Sequence, residues 1–132
     1  MKKIAKLVAP ILSVTMLASS LAVIANAKSL KDSFYSGTDI YTGECYSNDF
    51  GTSYTPYYKK CYAGTKGYEK KHYVRAWIGG SSKEPNDDTV ADTGRCFFTG
   101  DGKATCKKRY DYKTSDWVFD WYFPRGYAKY GT

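Results

Sequence analysis

The chain has 132 residues, a formal net charge of +7, four cysteines and an aromatic content of 17%, most of it tyrosine. That length suits one domain, and such a charge favours anionic surfaces without naming a partner. The basic residues form no concentrated stripe of the kind that marks a nucleic-acid-binding protein, so nucleic acid is not an expected ligand.

The first stretch reads as an export signal. Lys2, Lys3 and Lys6 precede a mostly apolar run from Leu7 to Ile24, and Ala25-Asn26-Ala27 offers the small residues that a signal peptidase reads. Pro10, Ser13, Thr15 and Ser19-Ser20 interrupt the run, which makes it a poor membrane anchor. Cleavage near Ala27/Lys28 would release a secreted protein and remove three lysines, lowering the charge from +7 to +4. Residues 28–39 read as a flexible leader, 40–124 as a single β domain and 125–132 as a frayed C-terminal tail.

Within the domain, Ile40 to Tyr46 predicts a short strand and Ser47 to Ser53 a turn. Tyr54 to Tyr62 predicts a strand that Pro56 confines to a sheet edge or delays, and Ala63 to Gly67 a further turn. Tyr68 to Ile78 is the clearest strand of the first half. Period two places His72, Val74, Ala76 and Ile78 on an expected core face, with Tyr73, Arg75 and Trp77 outside. Gly79 to Asp88 is a polar, breaker-rich loop, and Thr89 to Ala91 resumes the extended chain.

Gly94 to Phe123 is the expected organising stretch. Cys96–Phe98 and Ala104–Arg109 flank Gly100-Asp101-Gly102, a hairpin signal. A turn centred on Asp101 puts Cys96, Phe98, Ala104 and Cys106 on one face, and Arg95, Phe97, Thr105, Lys107 and Arg109 on the other. Trp117, Phe119, Trp121 and Phe123 alternate with Val118, Asp120 and Tyr122, which predicts an aromatic core strand. Helical stripes are absent beyond Lys28. The expected fold class is all-β, a small antiparallel β-sandwich of five to six or more strands.

Cys45, Cys61, Cys96 and Cys106 all fall in the exported part, and an even count in a small exported domain predicts two disulfides as staples. Of the three possible pairings, Cys45–Cys61 and Cys96–Cys106 are preferred, since each brackets a turn-rich segment. The absence of a Cys-x-x-Cys and the single histidine argue against zinc, and no metal or cofactor is expected.

Enzyme chemistry is poorly served. His72 is the lone histidine, no serine sits in a nucleophile-elbow pattern, and paired cysteines are not nucleophiles. Glu44, Glu69 and Glu84 lie in polar or basic surroundings and read as solvated carboxylates; Asp87, Asp88 and Asp92 lack calcium-loop spacing. Binding is better served. Arg95, Phe97, Lys107 and Arg109 would share the outward hairpin face, with Arg75 and Trp77 as further candidates on the preceding strand. Cationic groups beside rings suit phosphate or sugar-phosphate ligands. Lys59, Lys60, Lys70 and Lys71 add basic edges, which also discourage edge-to-edge aggregation.

The order of features resembles the lactococcin 972 family of secreted bacteriocins. The residues concerned are His72-Tyr73-Val74-Arg75-Ala76-Trp77, the loop Gly79–Asp88, Gly94 to Lys107 and Trp117 to Phe123, with Cys45-Tyr46-Ser47-Asn48 and Tyr57-Tyr58 upstream. The cysteines depart from that pattern, because the family's type member has none. The resemblance implies a two-sheet antiparallel β-sandwich and a non-enzymatic antibacterial protein. It implies action at the envelope of related bacteria by binding an anionic lipid-linked cell-wall precursor and blocking septum formation, alongside membrane immunity or export proteins. Composition alone suits a second reading, a secreted, non-toxic carbohydrate or cell-wall-binding module that uses exposed tyrosine and tryptophan as stacking platforms.

Overall fold

Two strands rich in small inward side chains hold the molecule together, one at the centre of each sheet. The computed structural model describes residues 28–132; the expected signal segment, 1–27, lies outside the described residues. In chain order the elements are α1 (Leu30–Ser33), β1 (Phe34–Thr42), β2 (Tyr46–Ser47), β3 (Ser53–Thr65), β4 (Lys71–Ile78), β5 (Ala91–Asp92), β6 (Cys96–Thr99), β7 (Gly102–Lys113), a 3-10 turn at Asp120–Tyr122 and β8 (Gly126–Gly131). In the first sheet β3 pairs with β7 along one side, and with β1 and then β2 along the other. In the second, β4 pairs with β6 and β5 on one side and with β8 on the other. Every pairing is antiparallel, and the all-β expectation holds.

The core lies where the sheets face each other. Cys61, Ala63, Ala104 and Cys106 of the first meet Val74, Ala76 and Ile78 of the second. Small residues opposite one another let the sheets approach closely, and Phe98, Phe34 and Tyr130 close the margins. The inward face expected for β4 is the observed one, His72 included, but Tyr73 and Trp77, expected outside, are buried as well under covering side chains and loop.

Pairing differs from expectation in several places. Cys96–Phe98 and Ala104–Arg109 do not form a hairpin: β6 pairs with β4, whereas β7 pairs with β3. Gly100-Asp101 carries the chain from one sheet to the other, and the Phe98 ring occupies the place where a Cβ on Gly102 would sit, 2.2 Å away. The shared face of Cys96, Phe98, Ala104 and Cys106 is real. Those residues meet across the core instead of side by side.

Pro56 sits within a central strand. The bond from Gly43 N–H to Pro56 O (2.8 Å) shows that residue 56 turns its backbone groups toward the first edge, just past the end of β1 at Thr42. The missing proline N–H therefore costs no ladder bond. The expected leader is structured as well. Ser29 caps α1 by accepting from Asp32 N–H at 3.1 Å, and β1 then runs along β3 from Phe34↔Thr65 to Thr42↔Tyr57. Its polar residues read as loop because tertiary pairing, not local propensity, makes them a strand. Gly37 is needed there, since the Tyr62 hydroxyl lies 2.3 Å from where its Cβ would be.

The expected tail is β8, whose Ala128 and Tyr130 register opposite Ala76 and Val74. The expected core strand Trp117–Phe123 is no strand at all. After a turn closed by Asp116 N–H to Lys113 O (2.8 Å) it coils through the 3-10 turn, and of its rings only Phe123 is buried.

Candidate functional site

Alternation along the first sheet sends one set of side chains to the core and the other to solvent. Cross-strand rows read Tyr35–Gly64–Lys103, Gly37–Tyr62–Thr105, Asp39–Lys60–Lys107 and Tyr41–Tyr58–Arg109, and Tyr46–Tyr54–Lys113 ends the series. The result is a broad tyrosine and cation face. Tyr41 and Tyr58 stack at 5.1 Å, and Tyr46 and Tyr54 at 5.6 Å. Cations lie against the rings: Lys103 at 4.5 Å from the Tyr62 centroid, Lys107 at 5.5 Å from Tyr58, and Arg109 at 5.5 Å from Tyr46.

The charges on this face are not equivalent. Asp111 binds Arg109 at 3.0 Å and holds its guanidinium more firmly protonated, while Asp39 lies 3.4 Å from Lys60. Among the described residues, Lys103 and Lys107 pair with no carboxylate. Stacking surfaces with free ammonium groups between them can hold a flat ring and an adjacent phosphate or carboxylate together.

The four residues expected to share one hairpin face are divided, and the two further candidates, Arg75 and Trp77, fall with the second pair. Lys107 and Arg109 belong to this face; Arg95, Phe97, Arg75 and Trp77 come from the second sheet, whose strand plane lies on the order of 10 Å beyond the first. The crossing at Gly100-Asp101 separates them. On the second sheet Arg95 stacks on Tyr73 at 4.9 Å, Phe97 meets the same ring at 5.7 Å, and Lys71 sits over Phe97 at 5.6 Å. Trp77 is fully buried under the loop after β4, its Nε1–H donating to Ser81 O at 2.9 Å. It is a structural residue, not a contact for ligand.

No family model, curated protein or solved structure matches this chain. The site therefore has to be read from its own chemistry.

Arg75 is committed to structure. Its Nε donates to Asp92 Oδ1 at 2.9 Å, clasping β5 against β4. The guanidinium holds the Asp92 carboxyl below the usual carboxylate range, despite some opposing burial. A depressed pKa stabilises the fold in full above the unfolded value, near pH 4, and the contribution fades as pH falls through the lower folded value. Asp92→Asn should cost about 1 kcal/mol at neutral pH, a modest figure because both groups remain partly in water. It should also flatten the acid limb of stability, read by urea unfolding at a series of pH values. Glu84 behaves similarly beside Lys129, and is one of the carboxylates expected to be merely solvated.

His72 is buried with both nitrogens occupied. The Lys70 carbonyl, an acceptor only, takes the Nδ1 proton at 2.7 Å, which leaves Nε2 to accept from the Thr65 hydroxyl at 2.6 Å. It joins the end of β3 to the start of β4.

All four cysteines are free thiols in this structure. Cys45 contacts Thr55 at 3.3 Å, and Thr55 lies six residues along β3 from Cys61, a separation of about 20 Å at strand rise. The expected Cys45–Cys61 bridge is thus ruled out by the placement of β2 and β3. Cys61 instead registers opposite Cys106. Contact with the Cys106 thiol holds Cys61 below its usual range, and the same contact with burial pushes Cys106 up.

Tyr35, Tyr41, Tyr46, Tyr54, Tyr58, Tyr62 and Lys103 join this face without having been expected there, and Lys60, expected at a basic edge, lies on the central strand among them. The usable signal was the tyrosine recurrence at 54, 58 and 62, which keeps one strand face aromatic.

Proposed function

We propose that this is a secreted, bacteriocin-like antibacterial protein that binds an anionic envelope component of related bacteria, a cell-wall precursor or envelope polymer, without catalysis. The observation that carries the reading is the pair of uncompensated ammonium groups, Lys103 and Lys107, set over the rings of Tyr62 and Tyr58. An anionic ligand lying along β3 would gain charge-assisted hydrogen bonds and ring contact together. No metal, cofactor or nucleic acid is invoked, and membrane immunity or export proteins would accompany such a protein.

The stacked pairs Tyr41–Tyr58 and Tyr46–Tyr54 favour a second reading, a wall-binding module that does not kill. Purified residues 28–132 distinguish the two. Inhibition of a close relative's growth together with capture on its wall material supports the antibacterial reading, capture alone supports the module, and the absence of both inhibition and capture would sink both.

Export would also expose the thiols to an oxidising compartment. There Cys61 and Cys106 should form a disulfide, giving up two electrons and two protons to a disulfide oxidant, which is reduced to its two thiols. Thr114 N–H bonds to Ser53 O (2.9 Å), and by alternation Cys61/Cys106 is a hydrogen-bonded pair of the β3–β7 ladder. Such pairs have Cα atoms about 5.5 Å apart, within disulfide range. Non-reducing peptide mapping of exported protein should join these two peptides and leave Cys45 open to maleimide. A Cys96–Cys106 link would contradict the assignment.

A further inference from the structure

One strand carries most of the charge on the tyrosine face. The outward residues of β7 are Lys103, Thr105, Lys107, Arg109, Asp111 and Lys113, and every one is exposed. A strand residue advances about 3.4 Å, so successive members of this row stand about 7 Å apart and the whole row spans about 34 Å. Beside it the outward rings of β3, Tyr54, Tyr58 and Tyr62, are half-buried, so rings flank the charges along one side.

The row holds more cation than its neighbours can neutralise. Asp111 binds Arg109 at 3.0 Å, but among the described residues Lys103, Lys107 and Lys113 meet no carboxylate at ion-pair distance. Lys107 also stands directly opposite Lys60 in the ladder. Like charges at facing positions repel. The two side chains lean apart, Lys107 over Tyr58 at 5.5 Å and Lys60 over Tyr62 at 5.8 Å, with Asp39 3.4 Å from Lys60. An anion laid over the row would relieve that repulsion. Carboxylates bound the row at both ends. Asp101 lines the same surface recess as Lys103, and Asp116 closes the turn after the strand, its N–H donating to Lys113 O at 2.8 Å.

We propose that β7 is a track for a linear polyol-phosphate chain, lying extended along the strand with one phosphodiester at each two-residue step. Two residues of extended backbone contain six bonds. A phosphodiester joined through a three-carbon polyol also contains six, so both repeat at about 7 Å when drawn out. Alternation keeps every cation of the row on one side at whole multiples of that step, and Thr105 fills the step between Lys103 and Lys107 with a hydroxyl donor. A repeating anion meets all of them; a single headgroup would meet one or two. The carboxylates at the ends limit the track to about six phosphates. This names the ligand of the tyrosine and cation face, and it rests on the envelope reading given above for its setting.

The test titrates the exported chain, residues 28–132, with glycerol phosphate oligomers of two, six and twelve units in a calorimeter. Affinity should rise by about a hundredfold from two units to six, because each added contact becomes intramolecular, and by less than about threefold from six to twelve, once the track is full. Lys103→Gln/Lys113→Gln, at the exposed ends of the row, should lower the six-unit affinity by about tenfold and leave the two-unit affinity, carried by Lys107 and Arg109, within about twofold. Affinity that ignores length, or an end variant that loses nothing, would overturn the track and leave the face to a single anion. Capture of wall material without binding of any oligomer would also overturn it, with the envelope reading intact. Length-dependent binding without capture of wall material would instead remove the envelope reading and leave the track standing.

Discussion

Lys107→Glu/Arg109→Glu should weaken capture of purified anionic envelope polymer by about a hundredfold or more, whereas Arg95→Glu should change it by less than about twofold. Each lost charge-assisted contact to an anion is worth about 1.5–3 kcal/mol, and reversal adds repulsion. Lys107 and Arg109 project outward on β7, whose pairing is carried by the backbone, and Arg95 is exposed just before β6, so the fold should survive, as circular dichroism would show. The contrast follows from the crossing at Gly100-Asp101, which puts Lys107 and Arg109 on one sheet and Arg95 over Tyr73 on the other. A single hairpin face would have made the three substitutions equivalent. Equal losses for all three, or capture that persists in both variants, would remove the first sheet's face as the binding surface. Binding should also weaken with added salt, since exposed charges are screened over about 10 Å at 0.1 M.

The core-facing side of β4, β6 and β7 was legible because period two depends only on local geometry. His72, Val74, Ala76 and Ile78 point inward as expected, and so do Cys96, Phe98, Ala104 and Cys106. Pairing partners were not legible. A Gly-Asp-Gly turn reads the same whether the next strand returns beside the first or passes to the opposite sheet, and the choice rests on which strands already have open edges. The Trp117–Phe123 alternation misled for a related reason. Four rings with period two fit a buried strand, but the segment coils through a 3-10 turn instead, and three of those rings remain in solvent. The terminal stretches 28–39 and 125–132 failed differently. Their Gly, Ser and Lys carry weak strand propensity, and they become β1 and β8 only through long-range partners in β3 and β4. The tyrosine face is equally hidden, because Tyr35 lies in the expected leader and the remaining rings come together only through the pairing of β1, β2 and β3.

Trp77→Ala should cost about 3–5 kcal/mol, the usual range for deleting a fully buried large ring. A domain of this size has a total of about 5–15 kcal/mol to lose, so the variant should unfold at a much lower urea concentration. The effect has two sources that a second variant separates. Trp77→Phe keeps most of the ring against Tyr127, 5.9 Å away, but deletes the donor that Ser81 O accepts. It should cost only about 1–2 kcal/mol, most of it from the carbonyl left without its partner. The loop after β4 remains tied by Gly79 N–H to Arg125 O and Val90 N–H to Ile78 O, both at 2.8 Å. Hydrogen exchange should therefore rise at Lys83 to Asp88 in the alanine variant before it rises at either end of the loop. Phe97→Ala, removing a ring of similar chemistry that is 54% exposed, should cost well under half as much. If Trp77→Ala left stability near that of the parent while abolishing ligand capture, Trp77 would be a binding residue after all, and the loop over it a movable cover. The hydrogen bond to Ser81 and the absence of any exposed ring surface argue for the structural outcome.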